Sequence, residues 1–190
     1  KGYQVELLPW LYNVKRPLLR ALIQLRRFGK VFIPYDYLTP RDYLRSVLKS
    51  RCIGRDIPKK GRFRSYDVSP LLRREKLRGQ ASAPSYLPFI LYGPAIKNVG
   101  ESGRVFDICI DTFENMAVER PLVKAFRSHS PKTLTVGYQH STISTEMMGL
   151  ITTDWTVEQD VVPDRIVSNG KFGLEALIAR GFEPSVLRGG

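Results

Sequence analysis

Residues 104–139, RVFDICIDTFENMAVERPLVKAFRSHSPKTLTVGYQ, decide how this chain folds. Val105 to Ile110 is an apolar run broken only by Asp107, the pattern of a strand covered on both faces. Met116 to Ser128 has helical spacing, provided Pro121 falls in the first turn, where its missing N–H is not needed. Thr133 to Tyr138 is a second buried strand. Downstream, Arg165 to Val167 reads as a short strand and Phe172 to Arg180 as a helix closed by Gly181. Ser185 to Leu187 starts one more strand. Strands alternating with helices at this spacing predict an α/β fold, Rossmann-like, with a mainly parallel sheet and helices on both faces. Residues 104–190 are its core βαβ series.

Working back toward the N-terminus, Tyr86 to Val99 reads as helical and Gly79 to Ser85 as a small, polar loop. Ser69-Pro70 opens a short helix carrying Leu71, Leu72 and Leu77, and Ile53 to Arg64 is a basic loop or hairpin. Thr39-Pro40-Arg41-Asp42 is a helix start, with Thr39 as N-cap, Pro40 at the first position and Asp42 near the positive end of the dipole. Val31 to Pro34 and Tyr3 to Leu8 are expected as strands, flanking a basic helix that Pro17 opens and Gly29 stops.

The 190 residues are 43% apolar and 25% charged, enough for one full-sized domain spanning 1–190 and not for a disordered tail. Two cysteines, Cys52 and Cys109, make neither a disulfide framework nor a four-ligand zinc site, and suit a reducing cytosol. The longest apolar stretch, Leu87 to Ile96, contains Pro88 and Pro94 and is too short to span a bilayer. A sequence that starts at Lys1 with no signal-peptide pattern is read as a fragment or a processed chain.

The net charge of +12 is unevenly spread. Residues 1–80 hold 20 basic and 6 acidic side chains, a net of +14, whereas residues 81–190 are at −2. Such a basic N-terminal portion suits a polyanion: nucleic acid, an anionic membrane surface or a phosphorylated substrate. A solvated basic face explains it equally well. Nucleic acid is the least favoured partner, because no zinc-finger spacing, RNP-like aromatic motif or GxxG loop accompanies the charge.

Open parallel sheets collect ligands at the carboxyl ends of their strands. The three strand ends here carry Asp111-Thr112-Phe113-Glu114-Asn115, Gln139-His140-Ser141-Thr142 and Ser168-Asn169-Gly170-Lys171. Each also has a structural reading. Asp111 and Glu114 are spaced as a capping box, His140 as a partner for a backbone carbonyl, and Asn169 as a helix cap. SNGKFG lacks dinucleotide or P-loop spacing.

Taken in order, DTFENMAVERPLVKAF, TVGYQHSTIS and PDRIVSNGKFGLEALIARGF resemble segments of bacterial surface-carbohydrate (capsule and O-antigen) biosynthesis proteins related to glycosyltransferases of the GT-B architecture. The resemblance covers roughly residues 107–188, and YDVSPLLRRE is reminiscent of the same family. It implies an N-terminal, acceptor-side half. The donor-binding C-terminal domain is expected to lie outside this sequence, leaving the chain alone inactive. The implied reaction moves a sugar from a nucleotide-sugar donor to a glycan or lipid-linked acceptor. The implied location is the cytoplasm, peripheral at the inner membrane.

That chemistry needs a base for the acceptor hydroxyl and compensation of charge on the leaving phosphate. Asp111 or Glu114 is the first candidate base and His140 the alternative. Gln139, Ser141, Asn169 and Gly170 are candidate substrate contacts, the N–H groups of Asn169 and Gly170 facing an anionic group. Lys59, Lys60, Arg62 and Arg64 are candidates for an anionic acceptor or membrane surface. With no DxD-type cluster, neither a metal nor another cofactor is expected. Competing classes are a non-catalytic polyanion- or membrane-binding module and a sugar-nucleotide epimerase-like protein.

Overall fold

The computed structural model describes residues 2, 4–9, 18–52, 58, 60–82, 87–116, 119–144, 147, 150–152 and 160–189. Its elements are α1 (Leu18–Arg26), α2 (Pro40–Ser50), β1 (Arg62–Phe63), β2 (Tyr66–Asp67), α3 (Ser69–Ser82), α4 (Leu87–Ile90), α5 (Tyr92–Glu101), β3 (Ile108–Thr112), α6 (Arg120–His129), β4 (Leu134–Gln139), β5 (Arg165–Ser168), α7 (Gly170–Ile178) and β6 (Leu187–Gly189). The last four strands form a parallel sheet in the order β3-β4-β5-β6. β1 and β2 make a separate antiparallel hairpin. The protein is thus a mixed α/β chain with a four-stranded parallel sheet flanked by helices. Among the described residues, no helix is long and apolar enough to cross a membrane.

Strand order explains which face is covered. Successive crossovers of one hand, between strands laid down in sequence order, fall on one side of a sheet. On that side, Phe113, Ile166 and Leu187 pack with Leu177 of α7 and with Phe182. Cys109 packs against a second core, built from α5 (Tyr92, Ile96, Val99), α6 (Leu122, Ala125, Phe126) and Phe32. The opposite face carries Ile108 and Ile110, which are 50% and 69% exposed, beside exposed Leu134 and Tyr138. Helices on both faces, the expectation from sequence, is therefore met on one face among the described residues. A doubly wound sheet needs a reversal of strand order, and β3-β4-β5-β6 has none.

Several boundaries differ from the sequence reading. The first core strand runs 108–112 rather than 105–110. The Thr133 hydroxyl donates to the Phe106 carbonyl at 2.7 Å and the Leu134 N–H to that of Asp107 at 2.9 Å, so ladder pairing begins at Ile108↔Leu134. α6 starts at Arg120, which places Pro121 in its first turn, as its chemistry demands. The expected N-terminal strands reduce to one parallel bridge, Leu7↔Val31, and Pro34–Tyr37 is a 3₁₀ turn. α3 runs through the expected loop at Gly79 as far as Ser82. The segment 147–156 lies mostly outside the described residues.

Polar contacts position the elements. The α2 capping box is complete: the Thr39 N–H donates to Asp42 Oδ2 at 2.9 Å, and the Asp42 N–H returns to Thr39 Oγ1 at 3.3 Å. Asp42 also accepts from Asn98 Nδ2 at 3.0 Å, tying α2 to α5. Arg104 pairs with Glu6, and its guanidinium lies 5.3–5.9 Å from the centroids of the Phe32, Tyr37 and Phe106 rings. Asp164 accepts from the N–H and hydroxyl of Thr135 and pairs with Arg127 at 2.9 Å, locking the entry of β5 to β4 and α6.

Candidate functional site

The turn after β3 is folded by its own side chains. Asn115 adopts a left-handed conformation (φ 52°), a region in which Asn is among the few tolerated side chains, and it is fully buried. Glu119 accepts the Glu114 N–H on both carboxylate oxygens, at 3.2 and 3.1 Å, and the Met116 N–H at 3.1 Å. Arg120 grips Asn115 through its side-chain oxygen at 3.3 Å and its carbonyl at 3.1 Å. This accounts for the TFEN and ER segments as one device: buried turn atoms must find partners, and Glu119 and Arg120 supply them.

Against this turn lies a cavity of ≈ 20 Å³ lined by Cys109, Asp111, Asn115, Glu119, Arg120 and Thr135, among others. It has room for a water but not for a sugar ring. Asp111 Oδ1 accepts the Thr112 N–H at 2.9 Å, while Asp111 Oδ2 is buried with no hydrogen-bond partner. Burial raises the Asp111 pKa above the usual carboxylate range, against the pull of the Thr112 N–H. Glu119, 4% exposed, is pushed by burial to about 7; the charges of Asp111 and Glu114 add to that rise, and its two N–H donors oppose it. Burial, with Asp111 beside it, also pushes the Cys109 thiol up to about 12, so it is inert as a nucleophile at neutral pH. Asp111 and Glu119 thus line one cavity with carboxyls whose pKa values burial raises, which makes it the candidate site.

Asp111 therefore sits inside β3, level with Gly137, and not past the strand end as the sequence reading has it. The Asp111–Glu114 capping box does not form: Thr112 is still paired with Tyr138, and the Glu114 N–H is taken by Glu119. Glu119 is the residue that sequence reasoning missed. Its signal is an acid directly before Arg-Pro at a helix start, where the helix dipole favours negative charge.

A second group lies at the ends of β4 and β5. Gln139, 1% exposed, donates to the Ser141 carbonyl and accepts the Asn169 N–H at 3.2 Å. The Asn169 N–H is thus already engaged, which corrects its expected role toward an anion. Gly170 has φ 79°, and Asn169 stands at the N-cap of α7 without a side-chain cap bond. Ser168 is fully buried, its hydroxyl facing the Gly170 and Arg188 carbonyls at 3.1 and 3.3 Å. Ser141 Oγ is buried without a partner. Comparison of the chain with protein-family models, with curated proteins and with solved structures finds no match.

His140 and Asn169 are exposed at neighbouring strand ends, because Gln139 and Ser168 pair directly before them. Asp111 is three residues short of His140 along the sheet, roughly 10 Å at ~3.3 Å per residue. The structure thus joins Gln139, Ser141 and Asn169 by hydrogen bonds, recesses Asp111 in the cavity and leaves Glu114 in the turn beside it. Lys60, Arg62 and Arg64 are exposed on and beside the β1–β2 hairpin, and Lys59 lies outside the described residues. Among the described residues, no group of three His, Cys, Asp or Glu side chains is placed to hold a metal ion.

Proposed function

We propose that the chain is the acceptor-side domain of a glycosyltransferase of bacterial surface-polysaccharide synthesis, working on a nucleotide-sugar donor held by a partner domain. The observation that carries this reading is Asp111: a half-buried carboxyl near the carboxyl end of β3 that lines a water-sized cavity, with one of its oxygens enclosed and unpartnered. The three segments that carry the resemblance fall at the ends of adjacent strands, in order, which supports it further. In this scheme Asp111 takes the acceptor hydroxyl proton through one water as the hydroxyl oxygen attacks the sugar carbon and the nucleotide leaves. His140 and Asn169 bind sugar hydroxyls at the rim. Glu119 and Arg120 hold the turn that frames the cavity. Nucleotide sugars place the reaction in the cytoplasm, with a glycan or lipid-linked acceptor.

The test is sugar transfer by the full-length protein, from a panel of nucleotide sugars to free and lipid-linked glycans. Asp111→Asn is expected to lower the rate ~10²–10⁴-fold while the thermal midpoint holds. Undiminished transfer by Asp111→Asn overturns the assignment. Release of free sugar and nucleotide without any acceptor would instead indicate an epimerase-like protein. The 190-residue chain alone is expected to bind acceptor without turnover.

A further inference from the structure

Residues 60–82 form a folded unit of their own. The Val68 N–H donates to the Gly61 carbonyl at 3.0 Å and the Gly61 N–H to Ser69 Oγ at 3.2 Å. The Leu72 side chain lies so close over Gly61 that a Cβ there would meet it at 2.7 Å. The β1–β2 hairpin and the first turn of α3 are therefore one piece. α3 turns Leu72, Lys76 and Gly79 inward, half-buried at helical spacing, and turns Leu71, Arg74, Leu77 and Arg78 outward. None of its residues is fully buried.

The outer surface combines two chemistries. Phe63 and Tyr66 are direct cross-strand partners, and the Arg64 guanidinium stands 5.7 Å from the Phe63 ring centroid. Phe63, Tyr66, Leu71 and Leu77 are between 61% and 72% exposed. Around them the unit carries seven basic and two acidic side chains, a net of +5. Any polyanion would satisfy the charge. A single-stranded nucleic acid stacks its bases on exposed aromatic rings but offers nothing to Leu71 and Leu77, whereas an apolar layer lying directly beneath anionic groups takes all four side chains. An anionic bilayer surface offers both within one side-chain length.

We propose that this hairpin–helix face docks the protein on an anionic phospholipid surface. Phe63, Tyr66 and Leu77 enter the headgroup layer, where aromatic side chains with a polar end are at home. Arg64, Arg74 and Arg78 bind lipid phosphates. The unit lies on the membrane rather than in it: α3 has 14 residues and carries five charged side chains between Arg73 and Arg78. The proposal stands whether or not the transfer reaction does, since it uses none of the residues at the sheet edge.

The test is flotation of the purified chain with phosphatidylcholine vesicles, with and without phosphatidylglycerol. Wild-type protein is expected to float only with the anionic vesicles. The variant Phe63→Ser/Tyr66→Ser/Leu77→Ser is expected to bind them at least ~10-fold more weakly yet keep its low-salt retention on heparin. Arg64→Glu/Arg74→Glu/Arg78→Glu should lose both. No binding by the wild type, or undiminished vesicle binding by either variant, overturns the proposal; the serine variant's unchanged binding would mark a surface that reads charge alone. Should a triple variant unfold, Phe63→Trp replaces it: its added emission is expected to shift to the blue on anionic vesicles, and an unshifted spectrum overturns the proposal.

Discussion

Glu119 closes the turn after β3 with both carboxylate oxygens, yet burial raises its pKa from 4.5 to about 7. An acid whose folded pKa is raised contributes its full stability below the unfolded pKa and loses it as pH rises through the folded one. The thermal midpoint should therefore fall between pH 4.5 and about 7 more steeply in wild-type protein than in Glu119→Gln. Parallel midpoint-versus-pH curves for the two would remove Glu119 as the cause. Gly173 makes a second residue-scale case. A Cβ there would meet Gln139 Oε1 at 2.8 Å and Ser168 Cβ at 3.4 Å, and both neighbours are buried. Neither can move without losing hydrogen bonds, so Gly173→Ala should cost ~1–3 kcal/mol in chemical denaturation. A stability loss below the error of the measurement would mean that the Gln139 bridge yields.

Capping explains the same contrast between elements. Thr39-Pro40-Arg41-Asp42 is legible from sequence because every partner lies within one helical turn, and the box forms as read. Asp111 and Glu114 have similar spacing but no helix to cap, since Thr112 continues the ladder with β4. Local spacing cannot report a pairing made with a strand some 25 residues away. Thr39→Ala is expected to cost ~1 kcal/mol by equilibrium unfolding. Asp42→Ala should cost more, because it also breaks the Asn98 contact to α5. Equal losses in the two variants would show that the Asn98 bond contributes nothing. The Asp42 carboxyl is held below its ordinary range by the Thr39 hydroxyl and N–H, so its stabilising share is lost only as pH falls below 3.8.

Across the whole molecule, the two faces of one sheet should answer differently to substitution. Ile110 and Ile166 are both strand isoleucines, but one is 69% exposed and the other fully buried. Ile110→Thr is expected to change stability by no more than ~0.5 kcal/mol, whereas Ile166→Ala should cost ~2–5 kcal/mol. A large loss at Ile110 would show that something in the folded protein covers that face. From sequence the two strands look alike, as short apolar runs. Neither run states which crossover packs over it.

What the sequence determined by itself is the strand–helix alternation, from which a parallel sheet follows, the α2 cap, and the left-handed Gly181 that closes the turn after α7. The basic excess of the N-terminal portion is likewise read directly from composition. Only the tertiary structure decided that Asp111 is recessed with an orphaned oxygen, that Glu119 folds the adjoining turn, and that Gln139 takes the Asn169 N–H. Those outcomes depend on which strands pair, in which register and under which helix. Burial and hydrogen-bond competition between residues distant in sequence set them, and no local pattern encodes that competition.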